Sequence, residues 1–383
     1  MKTGGAMKLT ENVQFVSMRK CKLGSLMNVT RGASLSGEYY SSAGALKRLT
    51  LANFDYSRNC FKEDLGKNNL FYLGKVDPRF VLKSGDIITP LTEQTPGLLG
   101  TTAIVPEDGK YIQSQDVALI RPDKSVLDED FAFYLVSSKT VRNQLGAQSQ
   151  QTKIRHSSPD KIKDCWVFVP SLSVQKSIGS FLKCLDRKIA LNRRKIATLE
   201  KMAKEIYEYS LKDHQNIEIC KVSDIVNVRT GKMDANFATP LGKYPFFTCS
   251  DQVLRCDELA FRGSAVLLAG NGNFGVKFYD GEFNAYQRTY VLIPHNTDMF
   301  GTLYCAVKRV SEVLSSKSAG SIVKFITKGD VESINVPYHR TMGLKINACL
   351  KQILALEKSS SSLMELRDFL LPLLMNGQVK VGE

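Results

Sequence analysis

At 383 residues, with hydrophobic residues at 43% and charged residues at 23%, the chain has the makeup of a globular protein of about two domains, which excludes disorder and collagen-like repeats. Its 52 Lys and Arg against 38 Asp and Glu leave a net charge of +14, an excess that points first to a polyanionic partner such as nucleic acid. No apolar run approaches the roughly 20 residues of a membrane helix, and the N-terminus lacks a signal-peptide core. The nine cysteines contain no CxxC; the closest pair, Cys249 and Cys256, lies seven apart, so neither zinc nor a disulfide framework is expected. The expected location is the cytoplasm, with reduced thiols.

The chain repeats itself. KLGSLMNVTRG (22–32) overlies KVSDIVNVRTG (221–231) at an offset of 199, with Lys22/Lys221, Asn28/Asn227, Val29/Val228 and Gly32/Gly231 identical. DGKYIQSQDVALIRP (108–122) overlies DGEFNAYQRTYVLIP (280–294) at an offset of 172, and Asp108/Asp280, Gly109/Gly281, Gln115/Gln287 and Pro122/Pro294 match. A looser third pair runs from Lys153 to Val169-Pro170 and from Lys324 to Val336-Pro337. Three collinear matches imply two homologous domains that have diverged inside.

In chain order, the first copy predicts short strands, GDIITP (85–90) among them, and helix around 129–145, where Phe131, Tyr134, Leu135 and Leu145 have helical spacing. After Pro170, with Ser171 or Ser173 as N-cap, a stripe runs through Ile178, Leu182, Leu185, Ile189, Asn192, Ile196, Leu199, Ala203, Ile206 and Ser210. This is the a/d pattern of a coiled coil, with Asn192 as a register-setting polar residue and Glu200–Lys204 as an outward i, i+4 pair. The second copy predicts strands at AVLLAG (265–270) and TYVLIP (289–294), and a hairpin over 276–286 closed on Asp280-Gly281. A second helix follows, with Ile346, Leu350, Ile353, Leu356, Leu363, Leu366 and Leu370 as its stripe, interrupted by Ser359–Ser362. Each copy is therefore a mixed α+β unit followed by a long helix, and the two helices are expected to pair antiparallel as a rod.

Catalytic motifs are sparse. Gly270-Asn-Gly272-Asn-Phe-Gly275 spells GxGxxG, but a β-like segment follows where a dinucleotide site needs a helix, so a tight turn or a glycine loop approaching DNA is the reading. There is no P-loop, no Asn/Asp-Pro-Pro-aromatic methyltransferase motif, and no nuclease D/E-x-K at a sensible distance from Pro122-Asp123 or Pro159-Asp160.

Polar and basic residues recur at matched places instead. After the opening strand stand Thr30 and Arg31 in one copy and Arg229, Thr230 and Lys232 in the other, which suits phosphate contact or a solvated loop. In KYPFFTCS (243–250) the Pro and Phe residues read as core, leaving Tyr244, Thr248 and Ser250 as DNA candidates. Asn271, Asn273 and Lys277 flank the glycine loop, and Gln287 and Arg288 follow the hairpin; Gln113, Ser114 and Gln115 are the first copy's version of that last site. Asn and Gln pair bidentately with adenine, and Arg with guanine, in the major groove. Lys183, Arg187, Lys188, Arg193, Arg194 and Lys195 on the first helix read as a solvated face, a track for the DNA backbone, or a surface for an acidic subunit.

With these residues in hand, the chain resembles the specificity (S) subunit of a type I restriction-modification system over essentially its whole length. The resemblance rests on GKYPFFTCSD (242–251), GNGNFGVKFYDGEFNAYQRTYVL (270–292), KFITKGDVESINVP (324–337), VPSLSVQKSIGSFLKCLDRKIALNRRKIATLEKM (169–202) and RDFLLPLLMNGQVKV (367–381). One departure is PSLSVQ, where the family more often has a second proline. The resemblance implies target-recognition domains at 1–169 and 213–340, a first conserved spacer helix at 170–212, and a second conserved spacer helix with the C-terminal tail at 341–383. It also implies that each domain reads one half of a bipartite, asymmetric target. Partners would be double-stranded DNA, modification subunits carrying S-adenosylmethionine, and restriction subunits using ATP and Mg. The chain itself would hold no cofactor and catalyse nothing. From Ile178 to Ser210 an ideal helix is about 48 Å long, or about 14 base pairs, a spacer of slightly more than one turn of DNA. An orphan or phase-variable subunit, and a coiled-coil adaptor that does not catalyse, are the alternatives.

Overall fold

The computed structural model describes residues 16–56, 58–63, 70–148, 155–212, 217–318 and 325–381, so Lys153 and Lys324 lie outside the described residues. Two compact units emerge: residues 1–187 with 363–383, and residues 188–362. No helix among the described residues is long and apolar enough to cross a membrane.

In the first unit, β1 (Arg19–Lys22) pairs antiparallel with β6 (Trp166–Val169) as a two-stranded ribbon. The main sheet has the order β4-β3-β5-β2, formed by Ala103–Ile104, Ile87–Pro90, Val117–Pro122 and Met27–Arg31. Strand β5 is buried on both faces, which is why it reads as a continuous apolar run. Ala118 and Ile120 join the core built on α1 (Glu129–Val136), while Val117 and Leu119 join a second core under a small sheet contributed by residues 40–112. The helix expected around 129–145 is split: Asp128 caps α1, and α2 (Lys139–Gln148) starts beyond Ser137–Ser138. A short α3 (Pro159–Lys163), capped by the Ser158 hydroxyl, leads into β6.

The second unit repeats this frame. Its ribbon is β7 (Glu218–Lys221) with β14 (Asn335–Tyr338). Its sheet has six strands in the order β8-β13-β11-β12-β9-β10, formed by Arg229–Thr230, Thr289–Leu292, Phe261–Ala269, Val276–Ala285, Tyr244–Phe247 and Leu254–Cys256. Helix α5 (Phe300–Ser318) covers one face, and α6 (Lys328–Glu332) precedes β14 as α3 precedes β6. The registers coincide residue for residue. Thr30 pairs with Leu119 as Arg229 pairs with Val291, preserving the offsets of 199 and 172.

Two expectations about the strands need correction. Asp280-Gly281 does not close a hairpin: it lies within β12, where Gly281 (φ 144°) faces Gly263 (φ 123°) across the ladder. The turn is the glycine loop 270–275 itself, whose Gly272 (φ 76°) and Phe274 (φ 52°) take the left-handed conformation. The Val-Pro dipeptides are also not equivalent. Ribbon pairing matches Val167 with Val336, so Val169-Pro170 sits two residues further along than Val336-Pro337.

Helix α4 (Leu172–Lys212) is continuous over 41 residues, and none of its ten stripe positions is exposed. Helix α7 (Arg340–Met375) contributes to both units. In the first unit, Ile178 and Leu182 share a core with Leu374 and Met375, and Asp186 meets Arg367 at 2.8 Å. In the second unit, Asn192 meets Ser359 and Ser360, while Arg194–Leu199 lines one groove with Gln352–Leu356. The order falls along α7 as it rises along α4, so the helices run antiparallel within each unit. The predicted stripe of α7 fails at Leu366, which is 43% exposed, because its true phase steps by seven from Ile353 through Ser360 and Arg367 to Leu374. On α4, Lys204 pairs with Glu208 and Glu312 rather than Glu200.

Candidate nucleic-acid interface

In the second unit, the end of the sheet gathers most of the predicted residues. Arg229 and Thr230 form β8 and are exposed, and the chain then passes through Gly231. A methyl group on Gly231 would overlap the carbonyl oxygens of Ala285 and Tyr286, so only glycine lets the backbones touch here. Gly32 abuts the carbonyls of Gln113 and Ser114 in the same way, the positions equivalent to 285 and 286. This contact brings the Lys232 segment beside Gln287, whose N–H donates to the Met233 carbonyl at 2.9 Å. Gln287 and Arg288 are exposed, and the Arg288 carbonyl accepts from Gly270 N–H at 2.8 Å. Arg288 is thereby tied to the start of the glycine loop.

That loop is firmly held. Phe274 is fully buried in the main core, so a left-handed residue at its tip anchors the turn that presents Asn273 to solvent and leaves Asn271 half-buried. The Asn273 side-chain oxygen accepts from Gly275 N–H at 3.1 Å, which ties this exposed side chain back to its own loop. Lys277 is half-buried, and its ammonium donates to the Ser250 carbonyl. Burial holds its pKa below the usual lysine value, and its role is to tether the 248–251 segment to the hairpin.

The structure therefore brings together Arg229, Thr230, Lys232, Ser250, Asn271, Asn273, Lys277, Gln287 and Arg288. Two predicted residues stand apart. Thr248 is buried, and its hydroxyl accepts from Ser250 N–H at 3.2 Å, so it shapes the turn rather than facing solvent. Tyr244 lies at the other end of β9, opposite Cys256, with the Lys243 ammonium 4.9 Å from its ring centre.

The first unit offers fewer groups. Thr30, Arg31 and Gln115 are exposed beside the Gly32 junction. Gln113 is revised: it is 1% exposed and its amide donates to the carbonyls of Thr30 and Val117 at 2.8 and 3.0 Å, stitching β2 to β5. Ser114, 7% exposed, is likewise inside. The loop equivalent to 270–275 is pinned differently. Buried Glu93 accepts from Leu98 and Leu99 N–H at 2.7 and 3.0 Å and faces Arg155 at 3.7 Å.

Two neighbours of the site carried no sequence signal. Met233 and Phe325, the latter exposed and bridged to Asn271, enter through pairings between segments far apart in the chain.

Among known proteins, the family described as "Type I restriction modification DNA specificity domain" matches residues 18–201 and 214–338, one stretch in each repeat. Over 171 residues the chain is 37% identical to the type I restriction enzyme EcoDI specificity subunit of Escherichia coli. That stretch is 42% of this chain and 38% of that protein, so the match spans well under half of the curated relative. The fold matches the crystal structure of a type I restriction-modification system S subunit from M. genitalium at a TM-score of 0.64, covering 96% of this chain and 98% of that one, with 17% sequence identity.

Proposed function

Because the chain belongs to the type I restriction-modification DNA specificity family, we propose that it is the recognition subunit of such a complex and that each repeat reads one half of a bipartite, asymmetric DNA target. The observation that carries this reading is the coincidence of the two sheet ends. In both repeats a glycine contact sets an exposed Thr/Arg pair beside a Gln-bearing turn. Arg229, Lys232 and Arg288 supply phosphate and guanine contacts in the second repeat, and Gln287 and Asn273 supply amides suited to adenine. Thr30, Arg31 and Gln115 form the first repeat's smaller set. The chain recognises and does not catalyse. Adenine methylation, with S-adenosylmethionine, belongs to modification subunits; translocation and cleavage, with ATP and Mg, belong to restriction subunits.

The heptads of α4 and α7 set the number of unread base pairs between half-targets, and the exposed basic residues Arg187, Lys188, Arg193, Arg194 and Lys195 of α4 face the DNA backbone or a partner subunit. Co-expression with the modification subunit, followed by single-molecule sequencing of methylated adenines, tests the reading. A split methylated motif that disappears without this chain is the expected result. Methylation indifferent to the chain would sink it. Inserting one heptad in both helices should lengthen the spacer and leave the half-targets unchanged.

A further inference from the structure

Within the first unit, a cleft of about 440 Å³ lies between the junction of α1 with α2, the paired strands Phe54–Asp55 and Cys60–Phe61, and the parts of α4 and α7 that belong to this unit. A volume of this size suits a small ligand. The charges on its wall do not balance. Four cations, Arg58, Lys139, Arg142 and Arg367, share it with two carboxylates, Asp186 and Asp368. Arg367 bonds both carboxylates at 2.8 Å, and Arg58 stands 3.5 Å from Asp55. Among the described residues, neither Lys139 nor Arg142 has a carboxylate within ion-pair distance.

Arg142 is the unusual member of the pair. It is half-buried, its Nη2 donates to the Asn59 side-chain oxygen at 3.3 Å, and its Nε is buried without a partner. Burial holds its pKa below the usual arginine value, and no acid offsets that. Withdrawing a guanidinium from water is costly unless an anion answers it. Yet the surroundings are built to keep it there. Asn59 takes the left-handed conformation (φ 52°), and its side chain bonds Thr102 twice, at 2.8 Å to the N–H and at 2.9 Å to the hydroxyl, while still accepting from Arg142. The Arg142 stem packs on Gly100, where an added methyl would stand 3.0 Å from its Cγ.

Lys139 and Arg142 are three residues apart, so both rise from one side of the first turn of α2. That turn exists because the helix breaks at Ser137–Ser138; in the second unit α5 runs unbroken over Phe300–Ser318. The helix dipole favours negative charge at the same place. A planar guanidinium beside an ammonium fits an oxyanion with several acceptors better than a single carboxylate.

We propose that this cleft binds a phosphate group, held by Arg142 and Lys139. Two sources present that chemistry, a phosphodiester of bound DNA and a free phosphate, and the test separates them. The inference goes beyond the specificity reading and does not depend on it. Isothermal titration calorimetry of the full chain with inorganic phosphate should show one site. Its affinity should fall about tenfold or more in Arg142→Gln and in Lys139→Glu, and stay unchanged in Arg193→Gln, an exposed position on α4 outside the cleft. Lys139 is exposed, so its variant keeps the fold even if Arg142→Gln does not, and circular dichroism verifies both. The titration is then repeated on the chain saturated with duplex DNA. Exclusion of phosphate by DNA, together with weaker DNA binding by Lys139→Glu, assigns the group to the DNA backbone; any other result on the DNA side assigns a free phosphate. No uptake of inorganic phosphate would overturn the proposal. So would uptake that Lys139→Glu and a folded Arg142→Gln leave intact, which would place the ion on other basic residues.

Discussion

The two repeats share a frame and differ in what the frame carries. Ribbon, glycine junction, central strands and the short helix before the second ribbon strand coincide in register. Between β2 and β3 the first unit uses residues 32–86 to build much of a separate small sheet over a second core, whereas the second unit uses residues 231–260 to extend its main sheet by β9 and β10. The loop beside the candidate interface is pinned by the Glu93 carboxylate in one unit and by the Phe274 ring in the other. The lesson is a division of labour: backbone contacts that hold the presenting edge are fixed, and the segments that would touch different base sequences vary around them.

If the glycine junction is the shared hinge-point of both sites, it should be the most sensitive place to test. Gly231→Ala places a methyl on backbone oxygens that cannot move without breaking β8–β13, so about 3 kcal/mol of destabilisation is expected, with Gly32→Ala behaving alike in its own unit. Chemical denaturation monitored by hydrogen exchange in each unit checks this. Tolerance of Ala at either position would mean that the two junctions are not equivalent.

The helical seams differ in a second way. In the first unit, Arg367, with a side chain 13% exposed, bonds Asp186, which also accepts from the Tyr134 hydroxyl at 2.6 Å. Arg367→Ala leaves a half-buried carboxylate and phenol without their cation and is expected to cost about 2 kcal/mol, discounted for the residual exposure of Asp186. In the second unit, Asn192 is fully buried, donates to Ser359 and Ser360, and keeps its side-chain oxygen without a partner. Asn192→Leu should therefore cost less than 1 kcal/mol, or even stabilise, while loosening the register of the helix pair. Thermal unfolding of the two variants side by side tests the contrast, and equal losses would refute it.

Much of this frame was legible in the sequence because offsets survive divergence: the matched Gly32/Gly231 and the four-three stripe of α4 are properties of the linear chain. The misreadings have one physical cause, which is that local signals were overruled by distant partners. Asp-Gly favours a two-residue turn, yet Gly281 is claimed by Gly263 on the neighbouring strand. Gln113 looks like a base-reading amide, yet its hydrogen bonds go to β2 and β5. Leu366 fits a stripe counted across the serine run, but the polar layer around Asn192 belongs to the seam and carries the phase on to Arg367.

The residues proposed to read bases sharpen the comparison between units at the level of binding. Arg288→Ala and Gln287→Ala are each expected to cost about 1–3 kcal/mol in DNA affinity and to relax one half of the methylated motif only. Gln115→Ala should relax the other half. Arg229→Ala should weaken binding across sequences and reduce the salt slope by about one. Methylation mapping with each variant decides these outcomes, and relaxation of both halves by one substitution would contradict independent reading.

The smallest expected difference lies in the caps of the two short helices. Ser158 caps α3 alone, through Lys161 N–H at 3.2 Å, whereas Thr327 and Asp330 cap α6 reciprocally, the Asp330 carboxylate accepting from the Thr327 N–H at 2.9 Å and from its hydroxyl at 2.6 Å. Those bonds hold the Asp330 carboxyl below the usual aspartate value, so its contribution is present at neutral pH and is lost as the pH falls through the lowered folded value. Ser158→Ala should cost about 1 kcal/mol at any pH. Thr327→Ala should cost about the same or slightly more at pH 7, and less as Asp330 becomes protonated. Amide exchange across residues 159–165 and 328–334, compared at pH 7 and in acid, distinguishes the two helices; a pH-independent effect of Thr327→Ala would show that the reciprocal bond from Asp330 contributes nothing.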